Sequence, residues 1–239
     1  MAVKNDHSFK LVAAVILTGV FLALFDSAHA AEATAKPKHT RTRTGTYQSS
    51  NGNSGTLSST VTRGAGETTR NGTLTNQNGQ TATHTADRTY DKTTGTGTVS
   101  SSTTAFDGDT MSRQGTFTKN ADGTVSSQGT LTGYNGKTAT YADTITKTAN
   151  GSTTTGTITG ANGKTATVNS QVIRTAPGDV TRDTTVTGAN GKTLEKDVAT
   201  KINPDGTGTR VVEVTKPDGT TETRTETFAV TDFGAPSMP

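Results

Sequence analysis

Apolar residues alternate with threonine along most of the chain, and the alternation is arranged around Asn-Gly pairs. In the four copies of the recurring segment these pairs begin at positions 78, 135, 162 and 190, so the steps between them are 57, 27 and 28 residues. The long step is about twice the short ones, and a period of this size marks a repeat built from one supersecondary unit. Asn-Gly between two threonine-rich runs favours a β-hairpin. The sequence therefore predicts a repeated hairpin of about 28 residues.

The register of one hairpin follows from the residues on either side of its turn. If residues 134–136 form a three-residue loop with Gly136 in the left-handed conformation, Leu131 lies opposite Ala139 and the threonines occupy the other face. A one-residue slip would turn every side chain over, so agreement between copies is informative. The same rule pairs Ile158 with Ala166, Val186 with Leu194, and Leu74 with Ala82. We therefore predict one weakly apolar face, which forms the core, and one threonine face.

Turn signals recur every 12 to 16 residues between about residues 45 and 230, and thirteen of them separate fourteen strands. No window has the i, i+3, i+4 spacing of an amphipathic helix. We predict an all-β fold, a repetitive antiparallel meander of about 14 strands whose chain reverses at every turn. Asn150-Gly151 is expected to be a two-residue loop that places Ile145 opposite Gly156. The sheet is expected to be open, folded over or arranged as a sandwich, with a β-solenoid as the alternative.

A membrane-spanning barrel is not expected from this pattern. Its lipid-facing side would have to be the apolar face, and charges are destabilising at lipid-facing positions. The apolar face also carries charged residues, which are Lys137, Asp143, Lys147, Arg174 and Arg182.

The two ends of the chain differ from the repeats. Residues 1–30 have the pattern of a secretory signal peptide, with a basic start, a short apolar run and the cleavage motif Ala28-His29-Ala30. We expect cleavage after Ala30, which implies a secreted, periplasmic or cell-surface protein of a bacterium. Residues 31–44 are predicted to be a basic N-terminal arm, 45–230 the Thr/Gly-rich hairpin repeat domain, and 231–239 a disordered tail.

Composition limits the core and some classes of partner. Hydrophobic residues make up only 28% of the chain, which suggests a thin sheet of small residues or help from oligomerisation. The chain has no cysteine, so disulfides cannot stabilise it. A formal net charge of +3 is too small to indicate a nucleic-acid-binding protein.

The sequence contains few residues and motifs that could support catalysis. Once the signal is removed, only His39 and His84 remain for a histidine-centred metal site or nucleophilic triad. The Gly-Lys-Thr at 136–138, 163–165 and 191–193 lacks the earlier glycine of a phosphate-binding loop. Asp107-Gly108-Asp109 begins like a calcium loop, but the following residues do not complete the pattern. We therefore expect no enzyme, no catalytic residues, no metal and no cofactor.

The threonine face is the one surface with unusual order. Regular spacing along and between strands would arrange its hydroxyl groups in a grid. Such arrays resemble the flat faces of ice-binding β-proteins, although threonine is also a common residue on any water-exposed sheet face. The candidate array consists of Thr130, Thr132, Thr138, Thr140, Thr157, Thr159, Thr165 and Thr167.

The leading interpretation is a secreted or cell-envelope repeat protein with a structural, adhesive or extracellular-matrix role and no catalysis. One alternative is a module that binds ice or a polysaccharide through the threonine array. Another is a β-fibre subunit that assembles with itself through unpaired edge strands. Acidic or insoluble polysaccharide is the other expected partner. No specific nucleic acid and no membrane span in the mature chain are expected.

Overall fold

The structure is a computed structural model that describes residues 39–233, and the predicted signal peptide lies outside the described residues. Fourteen strands fill this range, in agreement with the predicted number. Within it, no helix is long and apolar enough to cross a membrane. The strands are β1 His39–Ser49, β2 Ser54–Gly64, β3 Glu67–Asn76, β4 Thr81–Asp91, β5 Thr96–Thr104, β6 Thr110–Lys119, β7 Val125–Thr132, β8 Thr138–Thr148, β9 Gly151–Gly160, β10 Thr165–Ala176, β11 Asp179–Thr187, β12 Thr193–Ile202, β13 Thr207–Thr215 and β14 Thr221–Phe233.

The meander closes into a barrel. Each strand pairs antiparallel with its neighbours in the chain, and β1 also pairs with β14 from Thr40–Phe233 to Ser49–Arg224. The expectation of an open, folded-over or sandwiched sheet is therefore wrong, and so is the β-solenoid alternative. Closure is physically favoured because it pairs the backbone groups that two free edges would leave exposed.

The predicted hairpin registers are confirmed. Leu131 pairs with Ala139, and the equivalent apolar pairs of the other repeats are also formed. Gly136 closes its turn at φ 72°, while the Asn135 side chain accepts a hydrogen bond of 3.1 Å from the Lys137 amide. The other three confirmed pairs are Ile158–Ala166, Val186–Leu194 and Leu74–Ala82.

The register between β8 and β9 differs from the expected one. Ile145 lies opposite Thr154, and Gly156 lies opposite Asp143. Thr148 pairs with Gly151, so the two-residue loop is 149–150 and Gly151 already belongs to β9. The displaced loop leaves the alternation unchanged, because Ile145 and Gly156 still occupy inward-facing positions.

The barrel separates two sets of side chains. Apolar residues point inwards, and the alternation is clear in β12, where Leu194, Lys196 and Val198 are buried between exposed neighbours. The outward-facing set is mostly threonine. The larger interior cluster comprises Met111, Leu131, Ala139, Tyr141, Ile158, Ala166, Val186, Leu194, Val198, Val212 and Val214, and the smaller one Tyr47, Leu57, Leu74, Ala82 and Phe228.

Glycines at inward-facing positions allow strands to approach each other closely. A β-carbon at Gly129 would lie 2.0 Å from the carbonyl oxygen of Gln114 on β6. One at Gly45 would lie 2.0 Å from the carbonyl oxygen of Thr227, at the seam between β1 and β14. Glycine inside a strand often marks such a close approach or a tight bend in a barrel. The sheet therefore depends on glycine at these positions as well as in its turns.

The strands extend beyond the predicted limits of the repeat domain. β1 begins at His39, inside the segment 31–44 predicted as an arm. β14 continues to Phe233, past the predicted boundary at residue 230. Both extensions belong to the seam, where the pairing of β1 with β14 gives the terminal residues a hydrogen-bonding partner.

Candidate functional site

The predicted threonine array lies on one continuous part of the outer surface, over β7–β10. Thr130 pairs with Thr140, Thr140 pairs with Thr159, and Thr159 pairs with Thr165, so these residues form a row across four strands. Thr132 pairs with Thr138 in the next row towards the turns, and Thr157 pairs with Thr167 on the other side. The structure therefore brings together all eight residues of the array.

Hydroxyl groups in such rows contact each other across the strands. Thr159 and Thr165 share a hydrogen bond of 3.3 Å within the array. Similar pairs recur elsewhere on the barrel, for example Thr89 with Thr98 at 2.7 Å. Each hydroxyl can donate one hydrogen bond and accept two, so a paired threonine keeps capacity for a ligand or for water. The rows are thus polar surfaces with regularly placed donors and acceptors.

A groove of about 850 Å³ adjoins the array on the same outer surface. It crosses β6–β10, a width of about 20 Å at normal strand spacing. One row of outward-facing residues in the groove runs through Thr116, Gln128, Ala142, Thr157 and Thr167, so its last two residues also belong to the array. Ala142 has the smallest side chain of this row and lies between larger polar neighbours.

The second row of the groove is polar throughout. It runs in register from β6 to β10, and every outward-facing side chain in it ends in a hydroxyl or an amide. Together the two rows offer a neutral surface rich in hydrogen-bonding groups, without an outward-facing charge. The residues of this row are Thr118, Ser126, Thr144, Thr155 and Asn169.

A different part of the outer surface is acidic. Asp197 lies opposite both Asp183 on β11 and Glu213 on β13. Burial raises the pKa of Asp197, and the charges of Asp183, Glu195 and Glu213 raise it further. Directly opposed like charges are destabilising. This surface is therefore poorly suited to an acidic polysaccharide.

The interior contains an ion cluster that the sequence analysis did not identify. Glu226 is fully buried, and it forms ion pairs with Arg224 at 2.8 Å, Arg43 at 3.2 Å and Arg210 at 3.7 Å. Burial opposes ionisation of Glu226, but Arg210, Arg224 and Arg43 together hold its pKa below the usual value. The carboxylate is therefore ionised at neutral pH. Lys196, also buried, has its pKa lowered by desolvation and then by the nearby Arg210 and Arg224.

The signal for this cluster was available in the alternation pattern. Every arginine of the chain falls at an inward-facing position, in step with the apolar residues of its strand. Several stack on interior aromatic rings, with Arg88 4.0 Å from the centre of Phe117 and Arg113 4.1 Å from the centre of Tyr141. Sequence reasoning noted Arg174 and Arg182 on the apolar face only as an obstacle to a membrane barrel.

The two histidines considered from sequence lie on separate strands. His84 is buried on β4, where its Nδ1 lies 2.9 Å from the Thr103 hydroxyl. Burial lowers the pKa of His84 to about 4, and the charge of Arg70 acts in the same direction. His39 lies at the start of β1. The structure does not bring the two together as a metal site, and in residues 39–233 no group of three or more His, Cys, Asp or Glu residues is placed to hold a metal.

The other motifs considered from sequence lie in turns. The three Gly-Lys-Thr sequences follow Asn residues whose side chains accept hydrogen bonds from the lysine amides, at 3.1 to 3.2 Å. Asp107 accepts a hydrogen bond of 3.1 Å from the Asp109 amide in the same way. These side chains thus complete hairpin turns, as expected where Asn or Asp begins a turn.

Comparison with known proteins adds little to this description. No protein-family model and no curated protein matches the chain. Among solved structures, the β domain of the Bordetella autotransporter BrkA aligns over 82% of this chain and 99% of its own, with 11% sequence identity and a TM-score of 0.21. A TM-score this low carries no argument about fold or function.

Proposed function

We propose that this protein is an exported, non-catalytic barrel of the bacterial cell envelope that attaches to neutral polysaccharide through its outer surface. The observation that carries the proposal is the uncharged groove over β6–β10, which continues into the threonine array. Sugars present many hydroxyl groups, and hydroxyl and amide side chains can both donate to them and accept from them. The role is thus adhesive, with the closed barrel as a rigid support.

The outer surface is suited to water rather than to lipid. A membrane barrel presents an apolar band about 25 Å tall to the bilayer. Here the outward-facing positions carry hydroxyl groups and several carboxylates, and Val211 is the exposed large hydrophobic residue among those described. We therefore place the barrel in an aqueous compartment of the envelope or at the cell surface.

A polysaccharide fits the groove better than ice does. Binding to a crystal face favours a flat array, whereas the threonine rows lie on a closed barrel and border a concave groove. A polysaccharide chain can follow such a surface and form hydrogen bonds along it. Self-assembly into a β-fibre would require unpaired edge strands. Residues 39–233 have no such edge, because β1 and β14 pair with each other.

The absence of catalysis is part of the proposal. The groove contains no outward-facing acid, base or nucleophile stronger than a threonine or serine hydroxyl. Such hydroxyls need an adjacent base to react. Asp143 also lines the groove, but it occupies an inward-facing position and its carboxylate forms an ion pair with Arg113 at 3.4 Å. We therefore expect binding without turnover.

The test fills the groove while leaving the barrel unchanged. Ala142→Phe places a ring at the exposed centre of the groove, and Ala199→Phe places the same ring at an exposed position on β12. Adsorption of the mature protein to microcrystalline cellulose, chitin and an insoluble β-1,3-glucan is measured by sedimentation. We expect adsorption to at least one of them, weakened about tenfold or more by Ala142→Phe, a loss of about 1.4 kcal/mol.

The control decides the interpretation. Ala199→Phe should adsorb like the unmodified protein, and both variants should keep the same thermal melt, since neither position is buried. Equal adsorption by the two variants would place binding elsewhere on the surface. Failure to adsorb to any of the three polysaccharides would contradict the proposed function.

A further inference from the structure

A second groove on the outer surface continues the one over β6–β10. It has a volume of about 660 Å³ and crosses β3–β6, beside the turn between β2 and β3. Thr116, Phe117 and Thr118 of β6 line both grooves. The two grooves are therefore neighbouring parts of one depression that crosses eight strands, a distance of about 34 Å at normal strand spacing.

The strand register gives this depression two continuous rows of outward-facing side chains. One row begins at Glu67 on β3 and the other at Asp91 on β4, and both reach β10 without a shift in register. Beyond these two carboxylates, every side chain of the rows except Ala142 ends in a hydroxyl or an amide. The first row is Glu67, Thr89, Thr98, Thr116, Gln128, Ala142, Thr157 and Thr167, and the second is Asp91, Thr96, Thr118, Ser126, Thr144, Thr155 and Asn169.

Inward-facing glycines explain why the outside of the barrel wall is concave here. Gly97, Gly129 and Gly156 lie on β5, β7 and β9, and each is adjacent in sequence to a residue of the two rows. A β-carbon at Gly97 would lie 2.1 Å from the carbonyl oxygen of Thr89, and one at Gly156 would lie 2.7 Å from that of Ala142. Glycine within a strand permits such close approach and often marks a bend in a barrel. The wall can thus bend towards the interior beneath the rows.

We propose that the two grooves form one site for a single neutral polysaccharide chain, and that this chain is a curved one of the β-1,3-glucan class. The inference rests on the proposed function and adds the length and shape of the ligand. Eight of the fourteen strands make up more than half of the barrel wall, so a chain that follows the rows must bend with it. Glucose chains with 1,3-linkages curve into helices. The 1,4-linked chains of cellulose and chitin are straight, and they would contact only part of the site.

The rows offer hydrogen-bonding groups at the spacing of the sugars. Neighbouring strands are about 4.8 Å apart, which is close to the length of one sugar ring along a polysaccharide chain. Thr89 and Thr98 share a hydrogen bond of 2.7 Å in the second groove, and each hydroxyl keeps capacity for a sugar. A chain of about eight sugars therefore spans both grooves, whereas a chain of about four spans one.

Chain length tests whether the two grooves act as one site. Calorimetric titrations of the mature protein use β-1,3-linked glucose oligosaccharides from the disaccharide to the octasaccharide. We expect the octasaccharide to bind about tenfold or more tightly than the tetrasaccharide, because hydrogen bonds in the second groove are added to those in the first. Equal affinities of these two oligosaccharides would overturn the single long site.

Two variants of β4 test the part played by the second groove. Thr89→Phe places a ring in that groove, and Thr85→Phe places the same ring at an exposed position of β4 outside both grooves. We expect Thr89→Phe to remove the advantage of the octasaccharide while the tetrasaccharide still binds over β6–β10. Thr85→Phe should change neither affinity, and both variants should keep the thermal melt of the unmodified protein, since both positions are exposed. The same octasaccharide affinity in the two variants would contradict the extension of the site.

The type of linkage distinguishes this inference from the proposed function. Among the three insoluble polysaccharides, we expect the β-1,3-glucan to adsorb the protein about tenfold or more strongly than cellulose and chitin do. Adsorption to cellulose or chitin that equals adsorption to the β-1,3-glucan would contradict the curved ligand and would still support attachment to neutral polysaccharide. Failure to adsorb to all three would contradict the proposed function itself, and with it this inference.

Discussion

Individual glycines have two different roles in this barrel. Gly163 has φ 75° in a turn, with nothing within 4 Å of the place of a β-carbon. Gly129 lies within β7, where a β-carbon would meet the backbone of β6. The first role concerns backbone conformation and the second concerns space, so the two respond differently to substitution.

Gly129→Ala should destabilise the barrel by about 3 kcal/mol, because the new methyl group overlaps a carbonyl oxygen that belongs to the sheet. Gly163→Asn is the control, since asparagine tolerates the left-handed conformation and nothing surrounds it. Its expected change is below about 0.5 kcal/mol. Urea denaturation measures both, and a neutral Gly129→Ala would mean that β6 and β7 are less closely packed than described.

His84 should make the stability depend on pH. Its pKa is about 4 in the folded protein, below the usual value of 6.5. Stability from this residue is full above pH 6.5 and is lost as the pH falls from 6.5 towards 4, by up to about 1.4 kcal/mol per pH unit. His84→Asn should remove this part of the pH dependence. The measurement is the free energy of unfolding of the unmodified protein and of His84→Asn at pH 7.0 and 4.5. If both proteins lost the same free energy between these two pH values, His84 would not be a buried, neutral histidine.

At the scale of strands, β11, β12 and β13 carry an unfavourable row. Asp183, Asp197 and Glu213 lie directly opposite one another on the outer surface. Asp197→Asn should therefore stabilise the protein at pH 7 by about 0.2–1 kcal/mol. The raised pKa of Asp197 means that this gain shrinks as the pH falls and the carboxyl group takes up its proton.

The matched control is Asp87→Asn on β4, where the carboxylate lies between Thr69 and Ser100. It should give little or no gain in a thermal melt at pH 7. If the two substitutions had the same effect, the opposition of like charges would not be the cause.

Hairpins were the part of the fold that sequence could predict. Asn135-Gly136 and its equivalents fix both loop length and register, since any other register mixes apolar and threonine side chains. The loop before β9 was harder to predict, because Gly151 belongs to the strand and not to the turn. A β-carbon added at Gly151 would lie 1.9 Å from the carbonyl oxygen of Val172 on the neighbouring strand. Such a constraint comes from a neighbouring strand and leaves no local signal.

At the scale of the whole molecule, closure could not be predicted from the repeats. An open meander and a closed barrel contain the same hairpins, and only the pairing of β1 with β14 distinguishes them. The threonine array was predicted as a set, but its place beside a groove depends on the curvature that closure imposes. The alternation pattern places the arginines on the apolar face, but only the closure of the barrel shows that this face is enclosed and that the arginines form a buried cluster.

The central claim is that the two ends of the meander meet, and a disulfide at the seam tests it most directly. Thr44 and Ala229 are exposed partners on β1 and β14. The chain has no cysteine of its own, so Thr44→Cys with Ala229→Cys introduces one defined pair. Paired residues lie within disulfide distance in a barrel, whereas the two edges of an open fourteen-strand sheet are about 60 Å apart. After mild oxidation of the monomer, we predict an intramolecular disulfide, seen as loss of both free thiols. The control pair of Thr44→Cys with Thr140→Cys should keep its thiols. Free thiols in the seam variant, or disulfides only between molecules, would contradict the closed barrel.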